Sequence, residues 1–508
     1  MPRIYEYDTE SVDNLFSKHS LYENREKLAK FSTKQYKSEV TICISAYKDV
    51  EKARRCVESV FKYTKGIDFD LLIYLDGSKE GLFEYFKSID YEKTTIIHCT
   101  ANRGGIVPTT FVSMDMISEY VAGLPEDVIV TENWLNNMME CIKSDPTIGV
   151  VVPMSSNSSN LQECYIGEFN DYNEMQKLAA VHNVSDPRKW EERIRIVTLG
   201  TLMRKSAAYA LGIPVSDCGF AHNFGDDDFA FKMRRVGYKV VLAGDTWIHH
   251  DHPRVTTSVE EYRRFNENME LGRNDFRNKY YGLDAWDDVN NYVMFKHLIE
   301  NTSSDVPNIL GIDVKCGTPI LDIKNSVRRF DKFKSECFAI TSDAKYYMDL
   351  VTVCGAGQVV SGNVIQSIDK FLNGSMDYII IDKYINQYPD PFELITKCAT
   401  LLKNDGHIYV YLKNSYDVLS YLEMIGYITN NGTEMGLNYT YSQFVKKVKD
   451  MGGNVKCIYT ENYSTEELGK VLHIAETCLK KTLNPANDPQ GRVDKMMAKK
   501  WAFDITLG

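Results

Sequence analysis

From Val40 onward, short apolar runs of strand length alternate with stretches of helical periodicity, and this alternation restricts the chain to few folds. Val40-Thr41-Ile42-Cys43-Ile44, Asp70-Leu71-Leu72-Ile73-Tyr74-Leu75 and Ile96-Ile97-His98-Cys99 read as buried strands, with a helix over Lys52 to Tyr63. A second block begins near Pro307. Its strands are Asn308 to Ile312, Cys337 to Ile340, Met376 to Ile381 and His407 to Tyr411, with a helix from Pro391 to Leu402. Strands alternating with helices predict α/β architecture, a parallel sheet covered on both faces, here twice. Ligands of such sheets bind beyond the carboxyl ends of the strands, so the polar residues after each run are the ones to examine.

The expected organisation is a charged helical extension over 1–38, a first α/β domain over 39–260 and a helical linker over 261–306. A second α/β domain then spans 307–465, and a helical tail follows over 466–508. At about 150 residues per domain, 508 residues have room for two such units. There is no internal repeat and no low-complexity tract.

Composition narrows the function classes. The chain carries 59 basic and 70 acidic residues, a net charge of −11. That balance argues against a protein that coats nucleic acid or binds membranes through a basic face. It leaves room for an anionic substrate, because a bound divalent cation can neutralise a phosphate locally. The twelve cysteines form no C-x-x-C pair, so buried thiols are expected and not a zinc ribbon. Met1 to Phe31 is polar with no signal-peptide core, and no apolar run approaches the ~18 residues of a membrane span. The expectation is a cytoplasmic protein.

Several post-strand features share one chemical theme. Ser45-Ala46-Tyr47 and Asp76-Gly77-Ser78 follow the first two strands, and Asn102-Arg103-Gly104-Gly105 follows the third. Pro125-Glu126-Asp127-Val128, Phe224-Gly225-Asp226-Asp227-Asp228-Phe229 and Trp247-Ile248-His249-His250-Asp251-His252 complete the set. Each has a bland reading. Three acids at a helix start are commonly a cap, Arg103 between loops is equally a surface turn or a phosphate contact, and a histidine pair is often structural. Trp190 is a sugar-stacking platform or a core aromatic.

Taken in order, these motifs resemble the inverting family 2 glycosyltransferases, which have the GT-A, Rossmann-like nucleotide-sugar fold, over roughly residues 38 to 260. The resemblance implies that Ala46, Tyr47 and Asp76 hold the nucleoside. Asp127 matches the last position of an Asp-x-Asp-like motif whose first acid is missing here; Glu126 adjoins it, and both are assigned to the nucleotide-sugar. The implied metal, Mn²⁺ or Mg²⁺, is held by Asp127 and His250, with His249 the second choice. Those two histidines point to opposite faces of a strand, so one of them faces the site. Asp226 is the implied general base, with Asp227 the alternative. The implied donor is a UDP-sugar such as UDP-N-acetylglucosamine, and the acceptor a hydroxyl on a protein such as flagellin or on a surface glycan.

In the second block, Asn308 to Thr318 is similar to a distorted glycine loop of S-adenosylmethionine-dependent methyltransferases, and Met376 to Gly406 to the later strands of that fold. The loop lacks the run of glycines that lets backbone approach such a cofactor. An inert or acceptor-binding unit is therefore favoured over S-adenosylmethionine binding. The two alternatives to a plain glycosyltransferase are a bifunctional glycosyltransferase/methyltransferase and a non-catalytic scaffold.

Overall fold

The apolar runs of the sequence become the central strands of two sheets. The structure, a computed structural model, describes residues 2–7, 38–78, 81–101, 118–212, 215–217, 220, 223–252, 258–288, 299–420, 437–464 and 495–507. The chain divides into two units, Met1–Asp287 and Asp288–Gly508.

In the first unit the strands are β1 (Arg3–Tyr7), β2 (Val40–Ala46), β3 (Phe69–Asp76), β4 (Thr94–Cys99) and β5 (Tyr120–Pro125). They continue with β6 (Val128–Ile129), β7 (Ile148–Ser155), β8 (Trp190–Glu192), β9 (Thr201–Arg204) and β10 (Lys239–His250). The sheet order is β1-β4-β3-β2-β5-β9-β7-β10-β6, with β8 also on β10. Every residue of β3 is buried, as a strand covered on both faces requires. The helix Val50–Tyr63 starts at Asp49, whose carboxylate accepts from the Glu51 and Lys52 amides. Its Ala53, Cys56, Val57 and Val60 join Ile42, Ile44, Leu71 and Ile73 in one core.

Strand direction places the site. β2 is parallel to β3 and β5, and β7 is parallel to β10. β9 is antiparallel to both β5 and β7, so β5 and β7 run the same way. The carboxyl ends of β2, β3, β5, β7 and β10 therefore share one edge of the sheet.

The second unit contains β11 (Asn308–Ile312), β12 (Glu336–Thr341), β13 (Val359–Ser361), β14 (Met376–Ile381), β15 (Leu402–Lys413), β16 (Gly453–Asn462) and β17 (Ala498–Leu507). Their order is β13-β12-β11-β14-β15-β17-β16, with the first five parallel and β17 antiparallel to both neighbours. This is a doubly wound, Rossmann-like sheet whose order reverses between β11 and β14. It is also the strand order of the methyltransferase-type fold.

Two sequence expectations are corrected. The extension over 1–38 is not all helical, because Arg3–Tyr7 is a strand lying parallel on β4. The tail over 466–508 is not all helical either, because β17 inserts between β15 and β16. Trp501, Phe503 and Ile505 recur with period two and bury in the core beside Phe444, which a strand satisfies and a helix does not. Residues 466–494 of that tail lie outside the described residues.

Candidate functional site

At the shared carboxyl edge, β2 ends on buried Ala46 and β3 on buried Asp76. Tyr47 follows β2 and is exposed. The loop there is held by Glu126, whose carboxylate accepts from the Tyr47 amide at 2.9 Å and the Lys48 amide at 3.2 Å. Burial pushes the Glu126 carboxyl up, against those amide bonds. Glu126 thus fixes the backbone of the loop that follows β2. Arg103 lies outside the described residues.

Beside Glu126, Asp127 meets two histidines from the end of β10. Pairing of β6 with β10 sets His250 opposite Val128, next to Asp127, and the Asp251 amide donates to the Asp127 carbonyl at 2.8 Å. His250 Nε2 lies 3.5 Å from Asp127 Oδ2, and His252 Nδ1 lies 3.4 Å from the same oxygen. The two rings stack with centroids 5.3 Å apart. His250 Nδ1 is 2.7 Å from the Asn157 carbonyl. A carbonyl only accepts, so Nδ1 holds a proton and Nε2 is the ring nitrogen turned toward Asp127. Burial lowers the His250 pKa, but Asp127 and the Asn157 carbonyl outweigh it and the ring lies above its usual value. Burial raises the Asp127 pKa, but His250, Lys52 and His252 outweigh it and the carboxyl lies below its usual range. One ligand atom from each of Asp127, His250 and His252 fits within 4.8 Å of the others. A carboxylate oxygen and two imidazole nitrogens at that spacing suit a divalent transition metal.

The structure does not bring His249 to this cluster. Its ring packs edge-on against Phe169, lies near Tyr172 and Trp247, and its Nδ1 pairs with Ser156 Oγ at 3.0 Å. His252 takes the place it was given. Residues two apart on an extended strand share a face, so the signal for His252 was present in its spacing from His250. Trp190 is likewise core, with its indole N–H on Asp245 Oδ2 at 2.7 Å.

The three consecutive acids open the helix Gly225–Arg235, whose far end leads into the start of β10, so its first turn returns to the same edge. Each acid has a different partner. Asp226 Oδ1 accepts from the Thr198 hydroxyl. Asp227 Oδ1 is 2.5 Å from Arg195 Nε in a buried ion pair. Asp228, fully buried, takes Tyr280 Oη at 2.6 Å and Lys279 Nζ at 2.5 Å. Burial, with Asp227 adding, raises the Asp226 pKa to about 6, while the Thr198 hydroxyl and Arg195 oppose. Asp226 thus has the environment of a proton acceptor near neutral pH. Asp227 is committed to Arg195. Phe224, just before the acids, is buried in the left-handed region at φ 66°, a strained conformation held by Phe276 and Trp286.

Residues 41–187 match the sequence model of glycosyl transferase family 2. This stretch is a family 2 glycosyltransferase domain. The matched region contains Ala46, Tyr47, Asp76, Glu126 and Asp127, while Asp226 and His250 follow it. A comparison with curated proteins finds no match. Among solved structures the chain is similar to a mannosyltransferase, PcManGT, from Pyrobaculum calidifontis, in complex with GDP-Man and Mn²⁺. That likeness has 13% identity over 50% of this chain and 70% of that one, with a TM-score of 0.35. It is also similar to a SAM dependent methyltransferase from Archaeoglobus fulgidus, with 14% identity over 48% of this chain and 98% of that one, at a TM-score of 0.27. With scores this low, each unit's architecture is read from its own strand order.

The second unit's post-strand loop does not fit S-adenosylmethionine well. Asp313 and Lys315 adopt positive φ of 48° and 50°, the conformation for which glycine is suited, and a lysine side chain occupies the loop. Both Asp313 oxygens are engaged, Oδ1 by the Ser342 amide at 2.6 Å and Oδ2 by Tyr388 Oη at 2.8 Å. Asp343, which follows β12, caps the next turn through the Lys345 amide.

Proposed function

We propose that this protein is an inverting, metal-assisted glycosyltransferase that moves a sugar from a nucleotide-diphospho-sugar to a hydroxyl acceptor. The observation that carries the reading is the gathering of Asp127, His250 and His252 at the sheet edge where the family 2 domain ends β2 and β3. Ala46, Tyr47 and Asp76 bind the nucleoside there, the carboxylate accepting from base or ribose. Asp127 and the two imidazoles would hold a divalent cation, which neutralises the diphosphate charge as it departs. Two nitrogen ligands favour Mn²⁺ over the strictly oxygen-seeking Mg²⁺. Asp226 takes the acceptor proton as the oxygen attacks the anomeric carbon. A single displacement inverts that centre, so an α-linked donor gives a β-linked product.

The donor is read as a UDP-sugar, with UDP-N-acetylglucosamine the first to try, and the acceptor as a protein such as flagellin or a surface glycan. No helix among the described residues is long and apolar enough to cross a membrane. A thermal-shift panel of nucleotide sugars with and without Mn²⁺ tests donor binding. Stabilisation by at least one, greater with Mn²⁺, is the expected outcome; no shift with any of them defeats the proposal.

A further inference from the structure

Asp226 has a partner whose own position is fixed with unusual thoroughness. Thr198 lies between β8 and β9, just before the chain enters β9 at the carboxyl edge. Both its hydroxyl and its amide face the Asp226 carboxylate. The residues around it are tied down one after another. Arg195 is paired with Asp227, and Asn160 Nδ2 donates to the Ile196 carbonyl at 3.2 Å. The side-chain amide of Gln162, almost wholly buried, accepts from the Val197 N–H at 2.5 Å and donates to the Val197 carbonyl at 3.1 Å. Gln162 thereby treats Val197 as a neighbouring strand would. Gly200 follows at φ 68°, closed in by Ile248 and Pro153.

We propose that Thr198 is a positioning residue for proton transfer, its clamped hydroxyl fixing the plane of the Asp226 carboxylate so that the other oxygen points at the acceptor. The inference rests on the reading of Asp226 as the base. Threonine suits the task, because a β-branched side chain has few χ1 states and delivers its hydroxyl in one direction. The hydroxyl comes from outside the helix, and the Arg195–Asp227 pair already fastens this loop to the helix start. Thr198 is therefore not needed to dock the two elements.

The test compares wild type with Thr198→Val, which keeps the shape and removes the hydroxyl, Thr198→Ser, which keeps the hydroxyl, and Asp226→Asn. UDP-N-acetylglucosamine and GDP-mannose, each with Mn²⁺, serve as donors with water as the acceptor, whose proton Asp226 takes, and released UDP or GDP is the readout. The expected result is a loss of kcat of roughly 10- to 100-fold in Thr198→Val with donor KM and thermal midpoint little changed. Thr198→Ser should recover most of it. The acidic limb of the Thr198→Val rate profile, set by Asp226 among Asp227, Asp228 and Arg195, should move to higher pH. Wild-type kcat in Thr198→Val with Asp226→Asn inactive overturns the positioning role alone, as does a Thr198→Ser loss equal to that of Thr198→Val. Full activity in Asp226→Asn, or no turnover by wild type, overturns the base reading and this inference with it.

Discussion

His250 turns Nε2 to Asp127 at 3.5 Å because its other ring nitrogen donates to the Asn157 carbonyl. A ligand pair held this way should bind metal without rearranging. Mn²⁺ is expected to raise the thermal midpoint of the wild type, and Asp127→Asn or His250→Ala to abolish the shift. Calorimetric titration should show at least the 10- to 100-fold loss of affinity typical of disturbed metal shells. His249→Ala is expected to keep wild-type Mn²⁺ affinity, since His249 faces Phe169 and Ser156.

Asp226 and Asp227 are adjacent and should fail in different ways. Asp226→Asn is expected to lower donor turnover by about 100- to 10,000-fold, the range for a lost general base, with little change in stability. Asp227→Asn removes the carboxylate 2.5 Å from buried Arg195, and unfolding by denaturant should show a loss of about 3–5 kcal/mol.

Gly200 adopts φ 68°, and a Cβ there would stand 2.5 Å from Ile248 Cδ1 and 3.2 Å from Pro153 Cγ. Gly200→Ala should therefore cost about 1–3 kcal/mol in denaturant unfolding, through backbone strain and overpacking together.

His407 on β15 meets Asp504 on β17 at 2.9 Å, with both side chains buried. Burial lowers the His407 pKa, but Asp504, Glu300 and Asp405 outweigh it, and the folded value lies above the usual 6.5. The charged pair therefore stabilises fully below pH 6.5, and its contribution fades as pH rises through the raised folded value. The stability gap between wild type and Asp504→Asn should narrow across that window. A gap that widens with rising pH would contradict the assignment.

What could be read from the sequence follows from where each element lies. Asn308–Ile312 and Met376–Ile381 were delimited to the residue because central parallel strands are apolar on both faces and bounded by polar residues. β1 and β17 carried no such run. The local mark of β17 is the short period-two alternation of Trp501, Phe503 and Ile505, and its place in the sheet is set by pairing with the distant β15 and β16. In the site, Asp127 and His250 were legible as post-strand residues. The orientation of His249 was not, because it is decided by packing against Phe169, Tyr172 and Trp247. Nor were the separate fates of the three acids. Their partners Thr198, Arg195 and Tyr280 lie 28, 32 and 52 residues away, and chain folding alone brings them together.

The most direct test of metal-assisted transfer by Asp226 is release of nucleoside diphosphate from a panel of nucleotide sugars, with Mn²⁺ or with EDTA, by wild type and Asp226→Asn. The expected result is turnover of at least one donor by the wild type with Mn²⁺, lost in EDTA and in Asp226→Asn. Equal turnover by Asp226→Asn, or none by the wild type with any donor, would contradict it.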